Sequence, residues 1–561
     1  MKFEVWSPLT NQVDLITARG PQPMTKDDRG WWSIETEAQP GTKYQFRVDG
    51  QGAYPDPRSA WQPEGVHGPS VVIDHSAFRW TDNGFVAKPL SQAVIYELHI
   101  GTFTPEGTYE AAAKRLGFLR DLGITHVELM PLATFPGERG WGYDGAAIYA
   151  PHPAYGTTVD LKSFIQQAHD LGLAVLLDVV YNHLGPDGNY LGAFGPYFTD
   201  RVKTPWGDAI NFDGEHSDPV REFFIDNALM WMRDYHFDGL RLDAVHAIFD
   251  QSALHVLEQM AERVADLSAL TGRPLALIAE SDFNTPRLVQ SHLHGGFALS
   301  AHWEDDFHHA LHSFLTGERA GYHVDFGSLA QLAKSLEQAY VFDGQYSTFR
   351  KRSHGRPPLH VNPSQIIVFA QNHDQTGNRA LGERMSQLLE PAVLKATAAL
   401  VLLSPFVPML FQGEEWGAAT PFLYFTDHHE ELGKLVTEGR RKEFSAWDWS
   451  GHDVPDPQSP ETFRRSKLRW SELDEECHQD ILEWHRSLIA LRRSIPDGTP
   501  AEIAFDESAR WLTLRRGTLL AVFNFSEEAQ TIPIPPGNWE PNFLAGASLP
   551  AHSTTLLTAR P

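Results

Sequence analysis

Residues 237–248 read FDGLRLDAVHAI, and the fold of the chain follows from how that stretch is placed. Side chains alternate along a strand, so Leu240 and Leu242 take one side of a short buried strand and Arg241 the other. A guanidinium inside such a strand is costly unless a carboxylate meets it. Asp243, two positions on, faces the same side as Arg241 and is the natural partner. An Arg held against an Asp keeps that Asp ionised and aimed, as a carboxylate nucleophile requires. Taken alone, the pair reads more readily as a structural ion pair. The segments on either side decide the matter.

From Ala93 onward, apolar strand-like runs alternate with amphipathic helical segments, the pattern of a parallel sheet. The strand-like runs cover 94–98, 126–130, 174–179, 240–242, 275–279, 298–301, 366–370 and 409–411. Helical segments at 109–122, 160–171, 219–235, 252–270, 329–340 and 391–403 fall between them, and a last one near 477–493 closes the set. Eight such strands predict an α/β chain with a (β/α)8 TIM barrel over about 89–495. The third unit carries a Gly-, Pro- and Asp-rich insertion at about 184–214, too long for an ordinary connection. Before the barrel, FEVWS, QVDLIT, WWSIE and KYQFRV alternate at sandwich-like spacing, predicting an immunoglobulin-like β-sandwich over 1–88. No convergent titratable groups occur there, so it reads as a packing or glucan-associated module. Lys88-Pro89 reads as the linker. After Pro496, short alternating strands return and predict a small antiparallel β domain over 496–561.

Bulk properties narrow the function. With 561 residues, 42% hydrophobic and 21% charged, the chain has the make-up of a soluble multidomain globular protein. Its 46 basic against 72 acidic residues give a net charge of −26, which excludes nucleic acid and membrane surfaces as expected partners. Sixteen Trp and 15 Tyr offer flat faces with polar tips that suit sugar rings. Cys477 stands alone, the first residues do not read as a signal peptide, and the apolar stretch 396–411 is broken by prolines; a cytoplasmic protein, monomeric or a weak homodimer, is expected.

Active sites of such barrels lie at the C-terminal ends of the strands. The third strand ends DVVYNH, with Asp178, Asn182 and His183; the fourth ends RLDAVH, with Arg241, Asp243 and His246. The fifth ends LIAESD, placing Glu280 after an apolar run, and the seventh ends QNHDQTGNR, with His373, Asp374, Gln375 and Asn378. Carboxylates on three strand ends with His and Arg beside them admit a metal site or glycoside chemistry. Metal ligands would sit at closer spacing. His308-His309, on an expected loop beside Asp305 and Asp306, is the nearest approach. No metal or other cofactor is therefore expected. Glycoside cleavage needs one ionised and one protonated carboxyl group. Asp243 beside Arg241 suits the first role, and Glu280, desolvated by its apolar approach, suits the second.

DVVYNH, GLRLDAVH, the strand-end Glu280 and QNHDQ resemble, in order and spacing, the four signature segments of the α-amylase family of retaining glycoside hydrolases. The resemblance spans the barrel. It implies Asp243 as nucleophile, Glu280 as general acid/base and Asp374 as the third catalytic carboxylate. It further implies that His183 and His373 bind the sugar at the cleaved position, that Arg241 orients Asp243, and that Tyr143 in RGWGYDG stacks under that sugar. One departure is notable: many family members carry Lys-His after the nucleophile segment, whereas His246 is followed here by Ala247. Asn182 matches a calcium ligand of amylases, but the insertion lacks an acidic cage, so calcium is not expected.

Longer segments, among them LMPLATFPGERGWGYDG, WEDDFHH and LFQGEEWGAATPFLYFTDHHEELG, resemble the branch of that family acting on maltooligosyl trehalose. The resemblance implies hydrolysis of the α-1,4 bond next to the terminal trehalose, with related α-glucans as further ligands. Trehalose is compact and non-reducing, so the site must close beyond the cleavage point and line that pocket with hydroxyl-binding groups. The candidates are Trp206, His246, Asp305, Asp306, His308, Tyr322, Phe349, Arg350, Gln375 and Asn378. Rival readings are an α-glucan branching or debranching enzyme of the same family and, from another class, a non-catalytic glucan-binding protein.

Overall fold

The computed structural model describes residues 1–446, 454–540 and 548–559. Residues 447–453 of the expected barrel and 541–547 and 560–561 of the expected C-terminal domain lie outside the described residues.

Eight parallel strands close into a barrel. In chain order they are β1 (Ile95–Leu98), β2 (His126–Leu129), β3 (Ala174–Val179), β4 (Gly239–Leu242), β5 (Ala276–Ala279), β6 (Ala301–Trp303), β7 (Ile366–Val368) and β8 (Val407–Phe411). β8 pairs with β1 to complete the ring. Side-chain alternation divides each strand. Leu240 and Leu242 join the core between barrel and helices. A separate buried cluster, including Ile95, Leu176, Ile278, Ala301, Ile367 and Met409, fills the barrel interior. One step up β1 to β4 the inward position is polar: Glu97, Glu128, Asp178 and Arg241 are each buried to within 2% of full burial, while Trp303 and Phe369 keep the far side apolar. Backbone register sets Glu97 beside Glu128 and Asp178 beside Arg241. The apolar layer thus floors a polar layer that faces the C-terminal mouth.

Helices cover the outside for local reasons. Thr158–Asp170 starts with a capping box between Thr157 and Asp160. The expected helix at 109–122 is two, Tyr109–Ala113 and Leu116–Leu122, the second stopped by Gly123 at φ 108°. The sixth strand begins at Ala301 rather than 298, because Ala298 adopts φ 56° and the N–H groups of Ala298 and Leu299 bond to Gln290 and Leu288, outside the neighbouring strand. The largest departure follows it: Asp305, Asp306, His308 and His309 sit on a helix, Asp305–Thr316, and not on a loop. Phe307, Ala310, Leu311 and Phe314 are its buried apolar face, at helical spacing that the interleaved histidines obscure. A further helix, Glu430–Ala446, follows β8 where the apolar pattern predicts none.

The N-terminal part forms two antiparallel sheets, one holding Lys2–Trp6 and Trp31–Glu35, the other Val13–Thr17 and Lys43–Val48. Its apolar faces merge with the barrel core. At the C-terminus a five-stranded antiparallel sheet runs from Glu502–Asp506 to Ser553–Ala559. Among the described residues no helix is long and apolar enough to cross a membrane.

Candidate active site

Arg241 is the hub of the polar layer. Its Nη1 donates to Asp178 Oδ1 and Oδ2 at 2.9 and 2.8 Å and to Asp243 Oδ1 at 2.8 Å. Its Nη2 lies 3.8 Å from Glu280 Oε2. The guanidinium rests 4.2 Å from the Trp303 ring, so one face is apolar and the edge points at the carboxylates. A buried cation with charge-assisted bonds to two acids is fixed in place and fixes them in turn.

Asp243 is held from a second side: Asn182 Nδ2 donates to its Oδ2 at 2.9 Å and its carbonyl at 3.0 Å. Asn182 Oδ1 meets His183 Nδ1, so both ends of the amide have partners within the protein. After Asp243 the chain turns through Ala244 at φ 38°, a left-handed conformation that costs an alanine about 1–2 kcal/mol. That turn aims the Ala244 N–H at Glu280 Oε2, 2.6 Å away. Burial pushes the Glu280 carboxyl well above the ordinary carboxylate range, and the Asp243, Asp305 and Asp374 charges push the same way against Arg241.

Tyr143, Asp178, His373 and Glu97 form the opposite wall. Gly142, at φ 101°, packs so tightly on the Pro131 carbonyl that a side chain there would collide, and this sets Tyr143 into the mouth. Tyr143 donates its hydroxyl to Asp178 Oδ2 at 2.6 Å and lies 2.7 Å from His373 Nε2. His373 Nδ1 meets Glu97 Oε1, and its backbone N–H donates to Glu97 Oε2 at 2.9 Å. Burial opposes a charge on His373, but Glu97 overcomes it and raises the imidazole to about 9. Burial lifts Asp178 to about 6 against the pull of Arg241, and holds His183 below its ordinary value. His183 Nε2 is 3.1 Å from the Tyr143 carbonyl oxygen, and its ring stacks on Trp206 at 4.5 Å and 6°.

Asp374, half exposed, opens a cavity of about 290 Å³ beside this centre. Asp305, His308, Tyr322, Phe349, Arg350, Gln375 and Asn378 all line it. Within it Asn378 Nδ2 donates to Asp374 Oδ1 at 3.0 Å, Gln375 Nε2 to Asp305 Oδ1 at 3.3 Å, and Arg350 pairs with Asp282 at 3.2 Å. Burial and the surrounding acids raise Asp305 to about 7.

Three expected residues stand elsewhere. Asp306 turns away: its Oδ2 accepts from Asn284 Nδ2, Val341 N and Phe342 N at 2.6, 2.8 and 2.7 Å, tying a loop to the helix instead of facing a ligand. His246 opens onto a neighbouring hollow with Phe283 and Arg352, and Trp206 flanks the centre from the insertion. Glu97 escaped the sequence reading, although a glutamate inside the apolar run VIYELHI is the same kind of signal as Arg241. Asp282, which lines the cavity, lies only two residues after Glu280.

Among known proteins, the Alpha amylase catalytic domain family matches residues 73–194, and the Domain of unknown function (DUF3459) matches 496–559. The malto-oligosyltrehalose trehalohydrolase of Arthrobacter ramosus is 49% identical, over 92% of this chain and 92% of its own. That of Rhizobium sp. (strain M-11) is 48% identical, over 94% and 91%. A crystal structure from Salmonella typhimurium, 39% identical, superposes with a TM-score of 0.92 over 99% of this chain and 97% of its own. With relatives of 49% and 48% identity over more than nine-tenths of this chain, the chain belongs to the malto-oligosyltrehalose trehalohydrolase family.

Proposed function

We propose that the chain hydrolyses the α-1,4-glucosidic bond next to the terminal trehalose of maltooligosyl trehalose, by a retaining double displacement. The observation that carries it is the pair of unlike carboxyl groups that Arg241 brings together. Asp243 is hydrogen-bonded to the guanidinium at 2.8 Å, while Glu280, on the next strand end, is pushed well above the ordinary carboxylate range by burial and its acidic neighbours, the direction an acid catalyst needs. In this reading Glu280 gives its proton to the glycosidic oxygen as Asp243 Oδ attacks the anomeric carbon, and trehalose departs. The covalent glucosyl ester then meets a water whose proton returns to Glu280, and the shortened maltooligosaccharide is freed. Asp374 stabilises the oxocarbenium-like transition state, and Tyr143, His183 and His373 hold the ring being cleaved.

The names of the relatives support trehalose as the leaving group. The cavity beside Asp374 supports it physically, since it combines aromatic faces, Tyr322 and Phe349, with polar tips able to meet hydroxyls. The net charge of −26 favours neutral glucans over polyanions as partners, and a cytoplasmic setting, as a monomer or weak homodimer, belongs to the same proposal.

Incubation with maltotriosyl trehalose beside maltopentaose tests the reading. Free trehalose and maltotriose from the first, with slow turnover of the second, are expected. New branch points would show a transferase instead, and no turnover of either would show a binding protein.

A further inference from the structure

We infer that the N-terminal sandwich serves the reaction by holding the loop that carries Trp206, with Trp6 as its positioning residue. The inference rests on the reading that Trp206 touches substrate.

The sandwich grips the insertion after β3 at two points. At the first, the Trp6 ring packs edge-on against Tyr197 at 5.3 Å, and Ser7 Oγ donates to the Phe194 carbonyl at 2.6 Å. The fit is close enough that a Cβ on Gly195 would come within 3.0 Å of the Trp6 ring. At the second, Tyr190 Oη lies 2.6 Å from His67 Nδ1, His67 Nε2 pairs with Asp187 at 3.1 Å, and Tyr54 packs on the Tyr190 ring at 5.0 Å.

From the first grip the chain runs into a hairpin, Phe198–Thr204 and Gly207–Ile210. These strands pair with each other and, among the described residues, with no further strand. An isolated hairpin is marginal in water, so its aim is set where its base is anchored. That base is closed by Asn211, whose N–H donates to the Tyr197 carbonyl at 2.9 Å and whose Nδ2 donates to Pro196 and Glu215 carbonyls at 3.0 and 2.9 Å. Tyr197, the residue Trp6 touches, is therefore the hairpin's foot. At the other end Trp206 stacks on His183, and His183 touches the Asn182 amide that holds Asp243. Unbroken contacts thus join the sandwich to the nucleophile's setting.

The sandwich's aromatics agree with a buttress rather than a sugar-binding face. Trp6, Trp32 and Phe46 are 2%, 6% and 0% exposed, whereas Trp206 is 48% exposed. Without the buttress the hairpin would wander, and sugar binding would have to order it. That penalty falls mainly on KM.

The test is a double-mutant cycle read as kcat and KM on maltotriosyl trehalose. Trp206→Ala and Trp6→Ala should each lower kcat/KM on the order of tenfold, chiefly through KM. The double variant should be no worse than Trp206→Ala alone. Because Trp6→Ala can unsettle the sandwich, Ser7→Ala with Tyr190→Phe provides a milder second arm that removes two hydrogen bonds at the grips. It should show a smaller rise in KM, again absent in the Trp206→Ala background. Losses that multiply in both arms, or an unchanged KM in both, overturn the inference while leaving Trp206 as a contact. An unchanged KM in Trp206→Ala removes the substrate-contact reading, and the inference with it.

Discussion

Glu97 grips His373 twice, accepting its backbone N–H at 2.9 Å on Oε2 and meeting its ring Nδ1 with Oε1. The buried carboxylate raises the imidazole to about 9, against burial, above an ordinary value of about 6.5. A group whose folded pKa is raised contributes stability that is complete below its unfolded value and is lost as pH rises through its folded value. Glu97→Gln should therefore destabilise by about 3–5 kcal/mol near pH 6, since it strands one partner of a buried pair. The gap to the parent should narrow as pH rises from about 6.5 and have lost its charge-linked part by about 9, where the parent's imidazolium deprotonates. Denaturant unfolding at several pH values measures it, and a gap constant between pH 6 and 10 would refute the charged pair.

Asp243→Asn leaves the Arg241–Asp178 bonds standing but removes the attacking oxygen anion. Folding should survive while turnover drops by several powers of ten, on the order of 10⁴ or more. The parent should release its maltooligosaccharide first as the α-anomer, as retention requires. Proton NMR of the earliest product decides this, and a β-anomer would sink the covalent mechanism.

Glu280 is held above the ordinary carboxylate range by burial and three acidic neighbours. As the acid it must be protonated, so kcat/KM should fall as pH rises through that elevated value. Glu280→Gln should lose on the order of 10³-fold or more on maltotriosyl trehalose and far less on a glucoside with an activated leaving group, which needs little protonation. Equal losses on the two substrates would point to another acid.

Specificity should reside with Asp305 and Phe349, which line the cavity beside Asp374, and not with Asp306. Phe349→Ala or Asp305→Ala should lower trehalose release relative to plain maltooligosaccharide hydrolysis, roughly tenfold for a lost sugar contact. Asp306→Ala should instead destabilise by about 2–4 kcal/mol, because it leaves Asn284 and two backbone N–H groups without their acceptor. Product ratios and unfolding curves of the three variants separate the two effects, and a shifted ratio in stable Asp306→Ala would reverse the assignment.

The amino-acid sequence by itself determined the barrel, the alternation of Leu240, Arg241 and Leu242, and the pairing of Arg241 with Asp243, because these are local consequences of strand geometry and apolar patterning. It also ordered the strand ends so that Asp243, Glu280 and Asp374 share one mouth. What lay beyond it were contacts between residues far apart in the chain. Glu97 meets His373 across 276 positions, and Asn182 reaches Asp243 across 61. Asp306 and its neighbour Asp305 look alike in the sequence, yet helical geometry sends one into a loop anchor and the other into the cavity. Adjacent residues on a helix point about 100° apart, and burial then fixes which faces solvent and which must find internal donors. Only the tertiary structure decides that, because the partner of a buried charge is chosen by what packs against it and not by what precedes it.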